Sequence, residues 1–292
     1  MADYAPPRTD IQAPLRALPA RSCDAHCHIF GPAAVFPYAE PRPYTPPDAP
    51  YEKLLAMHAK LGLQRTVLVQ AACHGYDMSA VLAAIASSRG QTRGVALLPP
   101  GVQDDEVARL HQGGIRGARF HYMSHLDGTP RAEVERVASL IAPHGWHLCL
   151  HGDEDSLAGV LPWFLQLGVP IVVDHMARVA ADKGLDNPNF QALLALKGRP
   201  GAWVKISGID RVSSSGKRPF ADGRPYIAAL IEHMPGQLLW GTDWPHPRVH
   251  GDMPDDGESI NTLLELCPDE GILERILVRN PQGLYGFDDP EQ

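Results

Sequence analysis

Short apolar runs recur along most of the chain and alternate with segments of helical pattern. The runs are mostly continuous in hydrophobicity and do not alternate with polar positions, which is typical of parallel strands covered on both faces. Eight such runs occupy residues 23–30, 65–73, 93–99, 115–122, 147–152, 169–177, 202–207 and 238–245. We therefore predict eight parallel strands.

The segments between the runs have the spacing of amphipathic helices. Examples are residues 51–62, 78–90 and 132–145, each of which ends near a glycine, where helices commonly stop. Strand and helix repeated eight times predict an α/β fold of the (β/α)8 TIM-barrel type. We assign residues 21–292 to one barrel domain and residues 1–20, rich in Pro, Ala and Arg, to an N-terminal arm.

Composition narrows the classes of partner. The net charge of −8 argues against binding to nucleic acid or to a membrane surface, because no overall basic field attracts phosphate. The net charge does not argue against a small anionic substrate, since binding of such a substrate needs only a few local arginines. We find no signal-peptide pattern at the start and no apolar run near the ~18 residues of a membrane span, so we expect a cytoplasmic protein.

The five cysteines form no CxxC pair, and four of them fall in apolar runs. They are therefore expected to be reduced core thiols and not ligands of a structural zinc ion.

Two histidines stand out in the first run, which reads DAHCHIF. His26 and His28 are two positions apart, so on a strand both point to one side, while Cys27 points to the other. A single buried histidine is more often a satisfied core residue. A His-x-His pair at the inner end of a barrel strand is more typical of a functional site.

Three more polar residues end apolar runs: His151 the fifth, His175 the sixth and Asp243 the eighth. Active sites of these barrels lie at the carboxyl ends of the strands, where all the strand-to-helix loops meet. Imidazole and carboxylate ligands with one open position suit a catalytic zinc ion, although Mn, Fe or Ni are not excluded. A backbone-bonded His175 and a loop-capping Asp243 are the simpler alternatives.

The motifs DAHCHIFG, QAACHGYD, IVVDHMAR and WGTDWPHP resemble the amidohydrolase superfamily. The resemblance runs from about Cys23 to about Tyr285 and is greatest to the branch of 2-pyrone-4,6-dicarboxylate lactonase and the sulfomuconolactone hydrolases. It implies a (β/α)8 barrel that hydrolyses a lactone carrying acidic groups, in the breakdown of aromatic compounds.

By position, the resemblance assigns the superfamily's rim ligands to His26, His28, His175 and Asp243. It assigns binding of substrate carboxylates to Arg119, Arg178 and Arg211, and it places Tyr44 and His74 in matching loops. His246 and Arg248 follow Asp243 in one loop, so we add them as candidate substrate contacts.

Two positions depart from the pyrone lactonase pattern. His151 replaces a tyrosine, and His125 replaces a substrate-binding arginine. Because a strand-five histidine is the usual metal ligand of the superfamily, His151 favours a zinc enzyme over the metal-free lactonase. The fourth run carries Arg119 and no lysine that could form a bridging carbamate, which favours a single ion.

These observations predict a lactone hydrolase with one zinc ion bound by His26, His28, His151 and Asp243. Asp243 is the candidate general base, and His175 polarises the carbonyl, orients the water or completes the metal shell. The arginines are expected to clamp planar anions bidentately. A metal-dependent non-oxidative decarboxylase, a lactone isomerase and a non-catalytic binding barrel are the alternatives, and a homo-oligomeric assembly stays open.

Overall fold

Eight parallel strands form one sheet in the order in which they occur along the chain. The computed structural model describes residues 3–249 and 251–288. The strands are β1 (Cys23–Cys27), β2 (Arg65–Val69), β3 (Thr92–Ala96), β4 (Ile115–Tyr122), β5 (His147–Gly152), β6 (Ile171–Val173), β7 (Ala202–Lys205) and β8 (Leu238–Leu239). Backbone hydrogen bonds from Ala25 N to Trp240 O (2.9 Å) and from Asp243 N to His26 O (2.8 Å) join the last segment to the first strand. The predicted (β/α)8 barrel is confirmed.

Helices follow the strands and cover the outside of the sheet. They are α1 (Tyr51–Leu61), α2 (Ser79–Ser87), α3 (Asp104–Gln112), α4 (Arg131–Ile141), α5 (Glu154–Phe164), α6 (Pro188–Leu194), α7 (Ile209–Val212), α8 (Arg224–His233), α9 (Asp256–Leu266), α10 (Glu270–Glu274) and α11 (Asn280–Tyr285). The three helices named from the sequence are present, with bounds shifted by a few residues. In the described part of the chain, none of the helices has the length and apolar character needed to cross a bilayer.

Several strands end earlier than the sequence predicts. The sixth apolar run continues to residue 177, but β6 ends at Val173; the eighth continues to residue 245, but β8 ends at Leu239. Met176 and Ala177 are nevertheless buried in the outer core, so their apolar character reflects burial and not extended backbone. His175 and Asp243 therefore lie in loops just beyond the strands.

Two apolar layers hold the barrel together. The larger lies between the strands and the helices and includes Cys27. The smaller fills the barrel interior with residues such as Ala25, Val67 and Cys149, and its N-terminal end is closed by Tyr285 and Phe287 from the end of the chain. The five cysteines are buried and unpaired, as predicted.

The described residues before β1 contain no helix or strand, and they are tied to the barrel by hydrogen bonds. Gln12 N donates to Asp255 Oδ1 (3.1 Å) and Leu15 N donates to Asn261 Oδ1 (2.8 Å), both at α9. The division into an arm and one barrel domain stays a prediction.

Candidate active site

An irregularity in β1 aims the two histidines of the His-x-His pair. The register of β1 against β2 shifts between Asp24 and Cys27. Ala25 packs in the barrel interior, whereas Cys27 faces the helix layer. Bulges of this kind commonly redirect side chains next to active sites. His26 and His28 consequently both approach one carboxylate.

Three imidazoles converge on the carboxylate of Asp243. The Nε2 atoms of His26, His28 and His175 lie 3.7, 3.3 and 3.8 Å from Asp243 Oδ1. All four side chains are buried, none exposing more than 4% of its surface. The sequence predicted that these four residues and His151 meet at one point, from residue type and strand position, and the structure brings the four together.

The Nδ1 atom of each of these three histidines has a partner. His28 Nδ1 donates to the Val69 carbonyl (2.8 Å). His175 Nδ1 lies 3.0 Å from Ser207 Oγ. His26 Nε2 has no hydrogen-bond partner in the part of the chain that the structure describes. Convergent imidazole and carboxylate donors with held rings fit one metal ion.

A buried ionic cluster lies beneath this group, and the sequence analysis missed it. Asp174 Oδ2 accepts a hydrogen bond from Arg119 Nε (2.8 Å), and Asp174 Oδ1 lies 3.1 Å from Lys205 Nζ. Lys205 Nζ also lies 2.9 Å from His26 Nδ1 and 3.6 Å from Cys149 Sγ. The only sequence signals were one lysine in the apolar run AWVKIS and one acid in VVDHMAR.

The charges of the site follow from this arrangement. Burial opposes ionisation of Asp243, but His175, His28 and the Arg211 guanidinium together hold the pKa of its carboxyl well below the usual range. Burial lowers the pKa of His175 to about 3. At neutral pH the site therefore pairs an ionised carboxylate with a neutral imidazole at His175.

The backbone after β6 adopts an unusual conformation. Four consecutive residues that are not glycine, His175 to Arg178, have φ between 50° and 52°. The left-handed region costs such residues roughly 1–2 kcal/mol each, and strain of this kind concentrates at functional sites. The turn directs His175 to Asp243 and Arg178 to the cavity above it.

A cavity of about 450 Å³ lies above the carboxylate. Its walls carry four cationic side chains and the site histidines, with apolar residues between them. They are formed by His28, Pro43, Tyr44, Ala71, Ala72, Arg119, His121, Met123, His125, Leu126, His151, His175, Arg178, Arg211, Asp243, Pro247 and Arg248. The cavity suits a small anionic ligand.

Most of the predicted substrate contacts line this cavity. Arg211 donates to Asp243 Oδ2 (3.2 Å) and to the Pro247 carbonyl (2.9 Å). Arg178 Nε has no hydrogen-bond partner among the described residues. Tyr44, His125 and Arg248 also belong to the wall, as does Arg119 despite its bond to Asp174.

Two of the predicted substrate contacts, His74 and His246, do not line this cavity. His74 Nδ1 donates to the Pro37 carbonyl (3.1 Å), and its Nε2 accepts from Gly31 N (3.2 Å). His246 Nε2 lies 3.1 Å from Asp256 Oδ1. Neither side chain is part of the described cavity wall. Both hold loops, and any role in substrate binding stays a prediction.

His151, the predicted metal ligand on β5, has a different neighbour. Its Nδ1 lies 2.8 Å from His121 Nδ1 on β4, at paired positions of the two strands. Among the described residues, three groups bring at least three ligand atoms within 4.8 Å of one another, and none includes His151. They are His26, His28 and Asp243; His26, Asp174 and His175; and Asp24, Cys27 and His58.

Comparisons with known proteins agree with this geometry. The family model described as amidohydrolase matches residues 23–287. A 2-pyrone-4,6-dicarboxylate hydrolase from Comamonas testosteroni is 39% identical over 277 residues, which are 92% of this chain and 91% of that protein. A 4-sulfomuconolactone hydrolase from Rhizobium radiobacter is 38% identical over 274 residues, again 92% of this chain and 91% of the relative.

The structural comparison extends over the same range. A crystal structure from Pseudomonas putida, named as a candidate 2-pyrone-4,6-dicarboxylic acid hydrolase, is 30% identical with a TM-score of 0.82. The match covers 94% of this chain and 100% of that one.

Proposed function

Because this chain belongs to the amidohydrolase family, we propose that it hydrolyses a small lactone carrying acidic groups, in the breakdown of aromatic compounds. The observation that carries the proposal is the convergence of three imidazoles on Asp243 at the base of a cavity walled by arginines. The two relatives that are 39% and 38% identical are named for such lactones. Candidate substrates are 2-pyrone-4,6-dicarboxylate and 4-sulfomuconolactone.

Substrate binding is assigned to the cationic side chains of the cavity wall. Arg178 and Arg248 approach the cavity from the segments after β6 and β8. Arg211 comes from α7, which follows β7, and Arg119 comes from β4. Guanidinium groups bind planar carboxylates through paired hydrogen bonds, which fixes orientation as well as charge. These residues would hold the acidic groups and place the lactone carbonyl over Asp243.

The bond change needs one water molecule and one proton acceptor. Ionised Asp243 takes a proton from water, whose oxygen forms the new bond to the lactone carbonyl carbon. The carbon–oxygen bond of the ring then breaks, and Asp243 returns the proton to the leaving ring oxygen. Neutral His175, held at Nδ1 beside Ser207, orients the water or the carbonyl through Nε2.

We extend the proposal to one metal ion, with zinc as the first candidate. His26, His28, His175 and Asp243 would hold it, and the same donors suit Mn, Fe or Ni. When bound, such an ion supplies Lewis acidity at the lactone carbonyl. A further contribution from His151 stays a prediction.

The test is a product assay with both candidate lactones. We expect loss of the lactone with release of one acid equivalent per turnover. Asp243→Asn should lower kcat about 10²- to 10⁴-fold, the usual contribution of a general base, and Asp186→Asn at an exposed position is the matched control. Release of carbon dioxide would instead indicate a decarboxylase, and a product of unchanged mass an isomerase.

We also propose a cytoplasmic location, since five buried cysteines stay unpaired and thiols persist in reducing compartments. Cell fractionation tests this directly.

A further inference from the structure

We infer that Lys205 holds His26 in the tautomer with its proton on Nε2, which makes His26 a hydrogen-bond donor in the site and weakens the binding of a metal ion. Lys205 is on β7 and is completely buried. Its Nζ lies 2.9 Å from His26 Nδ1, 3.1 Å from Asp174 Oδ1 and 3.6 Å from Cys149 Sγ. An ammonium group has three protons and no lone pair, so it donates to all three.

The tautomer of His26 follows from this contact. A neutral imidazole carries one proton, and a nitrogen that accepts a hydrogen bond cannot carry it. Because His26 Nδ1 accepts from Lys205, the proton is on Nε2. That atom lies 3.7 Å from Asp243 Oδ1 and has no hydrogen-bond partner among the described residues. The N–H group is thus available to a ligand or water in the site.

His28 provides the internal comparison. Its Nδ1 is 2.8 Å from the Val69 carbonyl, which can only accept, so Nδ1 carries a proton. The two members of the His-x-His pair are therefore held by opposite contacts at Nδ1, where His26 accepts from Lys205 and His28 donates to the Val69 carbonyl. A metal ligand must offer a lone pair. His28 can offer Nε2 to a metal without changing its contact at Nδ1, whereas His26 must first move its proton from Nε2 to Nδ1.

The alternative acceptor for that proton is present but occupied. Asp174 Oδ1 lies 3.3 Å from His26 Nδ1, but the same oxygen accepts from Lys205 Nζ (3.1 Å) and from Cys149 Sγ (3.4 Å). Without Lys205, His26 could donate from Nδ1 to Asp174 and offer Nε2 to a metal. Carboxylate partners of this kind are the usual support of metal-binding histidines. Lys205 therefore acts through His26 as a positioning residue.

The first experiment reads the tautomers directly, and it rests on the proposed function only in taking His26 as a site residue. Metal-free, substrate-free protein labelled with ¹⁵N-histidine is examined by NMR through the couplings between ring protons and nitrogens. His26→Gln and His28→Gln assign the signals. We expect a protonated Nε2 in His26 and a protonated Nδ1 in His28. A protonated Nδ1 in His26 would overturn the inference, whether or not the protein hydrolyses a lactone.

The second experiment measures zinc affinity by competition with a chelator. Lys205→Met should move the His26 proton to Nδ1 and tighten zinc binding about 10- to 100-fold, the usual effect of a residue that supports a ligand. Arg119→Met is the matched control, because it removes the other cation from Asp174 while His26 keeps Lys205. Equal tightening of zinc binding in both variants would show that the effect comes from the loss of one positive charge, and it would contradict the inference. If Lys205→Met does not fold, the wild-type spectrum decides alone.

Discussion

At the scale of single residues, the arginines of the cavity wall differ in how far the protein already uses them. Arg119 is bonded to Asp174, and Arg211 to Asp243 and the Pro247 carbonyl. Arg178 Nε has no such partner among the described residues. Burial, with Arg211 as the next cause, lowers the pKa of Arg178 to about 10, so it is still charged at neutral pH. Arg178 can therefore bind an anion without giving up a bond such as those of Arg119 and Arg211.

We expect Arg178→Met to raise KM about 10- to 100-fold with a smaller change in kcat. Losing a hydrogen bond to a charged group costs about 1.5–3 kcal/mol, and binding that is equal in the ground and transition states appears in KM. Steady-state kinetics on the acidic lactone measure both constants. Arg131→Met is the control, since that guanidinium lies 4.9 Å over the Trp163 ring, outside the cavity wall. A fall in kcat at constant KM would contradict this role.

Residue type and position along the strands selected His26, His28, His175 and Asp243, which meet in the structure, and equally His151, whose Nδ1 lies beside His121. They were not enough to find Lys205 and Asp174, because the partner of a buried charge depends on which side chains meet inside the closed barrel. The same limit explains His74 and His246. Both occur in the expected loops, but one ring nitrogen of His74 is bonded to the Pro37 carbonyl, and Nε2 of His246 lies beside Asp256.

At the scale of elements, Asp153 joins the loop after β4 to the start of α5. Its side chain accepts from Ser124 N (2.9 Å), Ser124 Oγ (2.8 Å) and Ser156 N (3.1 Å), and Asp153 N donates to Ser156 Oγ (3.2 Å). Burial opposes ionisation, but these hydrogen bonds lower the pKa of the Asp153 carboxyl. The segment that follows His151 is therefore fixed by a charged capping box.

We expect Asp153→Ala to cost about 1–2 kcal/mol of stability, as loss of a helix cap does. Asp153→Asn keeps a capping oxygen and isolates the charge. Because the folded pKa lies below the unfolded value of about 3.9, the charge stabilises the fold above that pH, and its contribution is lost as pH falls through the folded pKa. Urea unfolding at decreasing pH should show wild type and Asp153→Asn converging. A constant difference would contradict the linkage, and the exposed Asp155→Asn serves as the control.

Gly241 brings the segment after β8 against β1. A Cβ at this position would lie 2.5 Å from His26 N, 2.7 Å from His26 Cβ and 3.0 Å from Asp24 Oδ1. Contacts below 3.0 Å to backbone cannot be relieved by rotating a side chain. The close approach is what lets Asp243 reach the His-x-His pair.

We expect Gly241→Ala to destabilise the protein by about 1–3 kcal/mol, the usual cost of overpacking, and to lower activity by displacing His26. Gly159→Ala is the control of opposite sign. Gly159 is exposed within α5, and its Cβ would meet nothing within 4 Å, so alanine should stabilise the helix by about 0.5–1 kcal/mol. Thermal unfolding compares the two variants. An unchanged unfolding midpoint for Gly241→Ala would show that the segment can move apart freely.

The pattern of apolar runs located every strand but not their ends. Hydrophobicity records burial, and residues such as Met176 and Ala177 stay buried after the chain has left the sheet. The register shift in β1 left no signal, since CDAHC is compatible with a regular strand. Strand ends and the shift together decide where the site residues point, so the site geometry required the structure.

At the scale of the whole molecule, the two ends of the barrel have opposite character. The carboxyl ends of the strands carry the buried charges and the cavity. The N-terminal end is closed by Tyr285 and Phe287, with the guanidiniums of Arg65 and Arg93 each 5.0 Å from the Phe287 ring. Changes at this apolar end should alter stability while leaving catalysis intact.

Tyr285 tests this separation, because its ring and its hydroxyl have opposite effects. The ring is fully buried, 5.2 Å from the His147 ring and 6.5 Å from Phe287, and its hydroxyl has no hydrogen-bond partner among the described residues. Deleting an unpaired buried hydroxyl removes a desolvation cost of about 1–3 kcal/mol, so Tyr285→Phe should be more stable than wild type. Tyr285→Ala should lose about 3–5 kcal/mol of stability, as large aromatic deletions do.

Urea unfolding measures the stability of both variants, and kcat and KM of Tyr285→Phe should match wild type. A less stable Tyr285→Phe would mean that an ordered water pairs the hydroxyl, and a changed kcat would show that the two ends of the barrel are coupled.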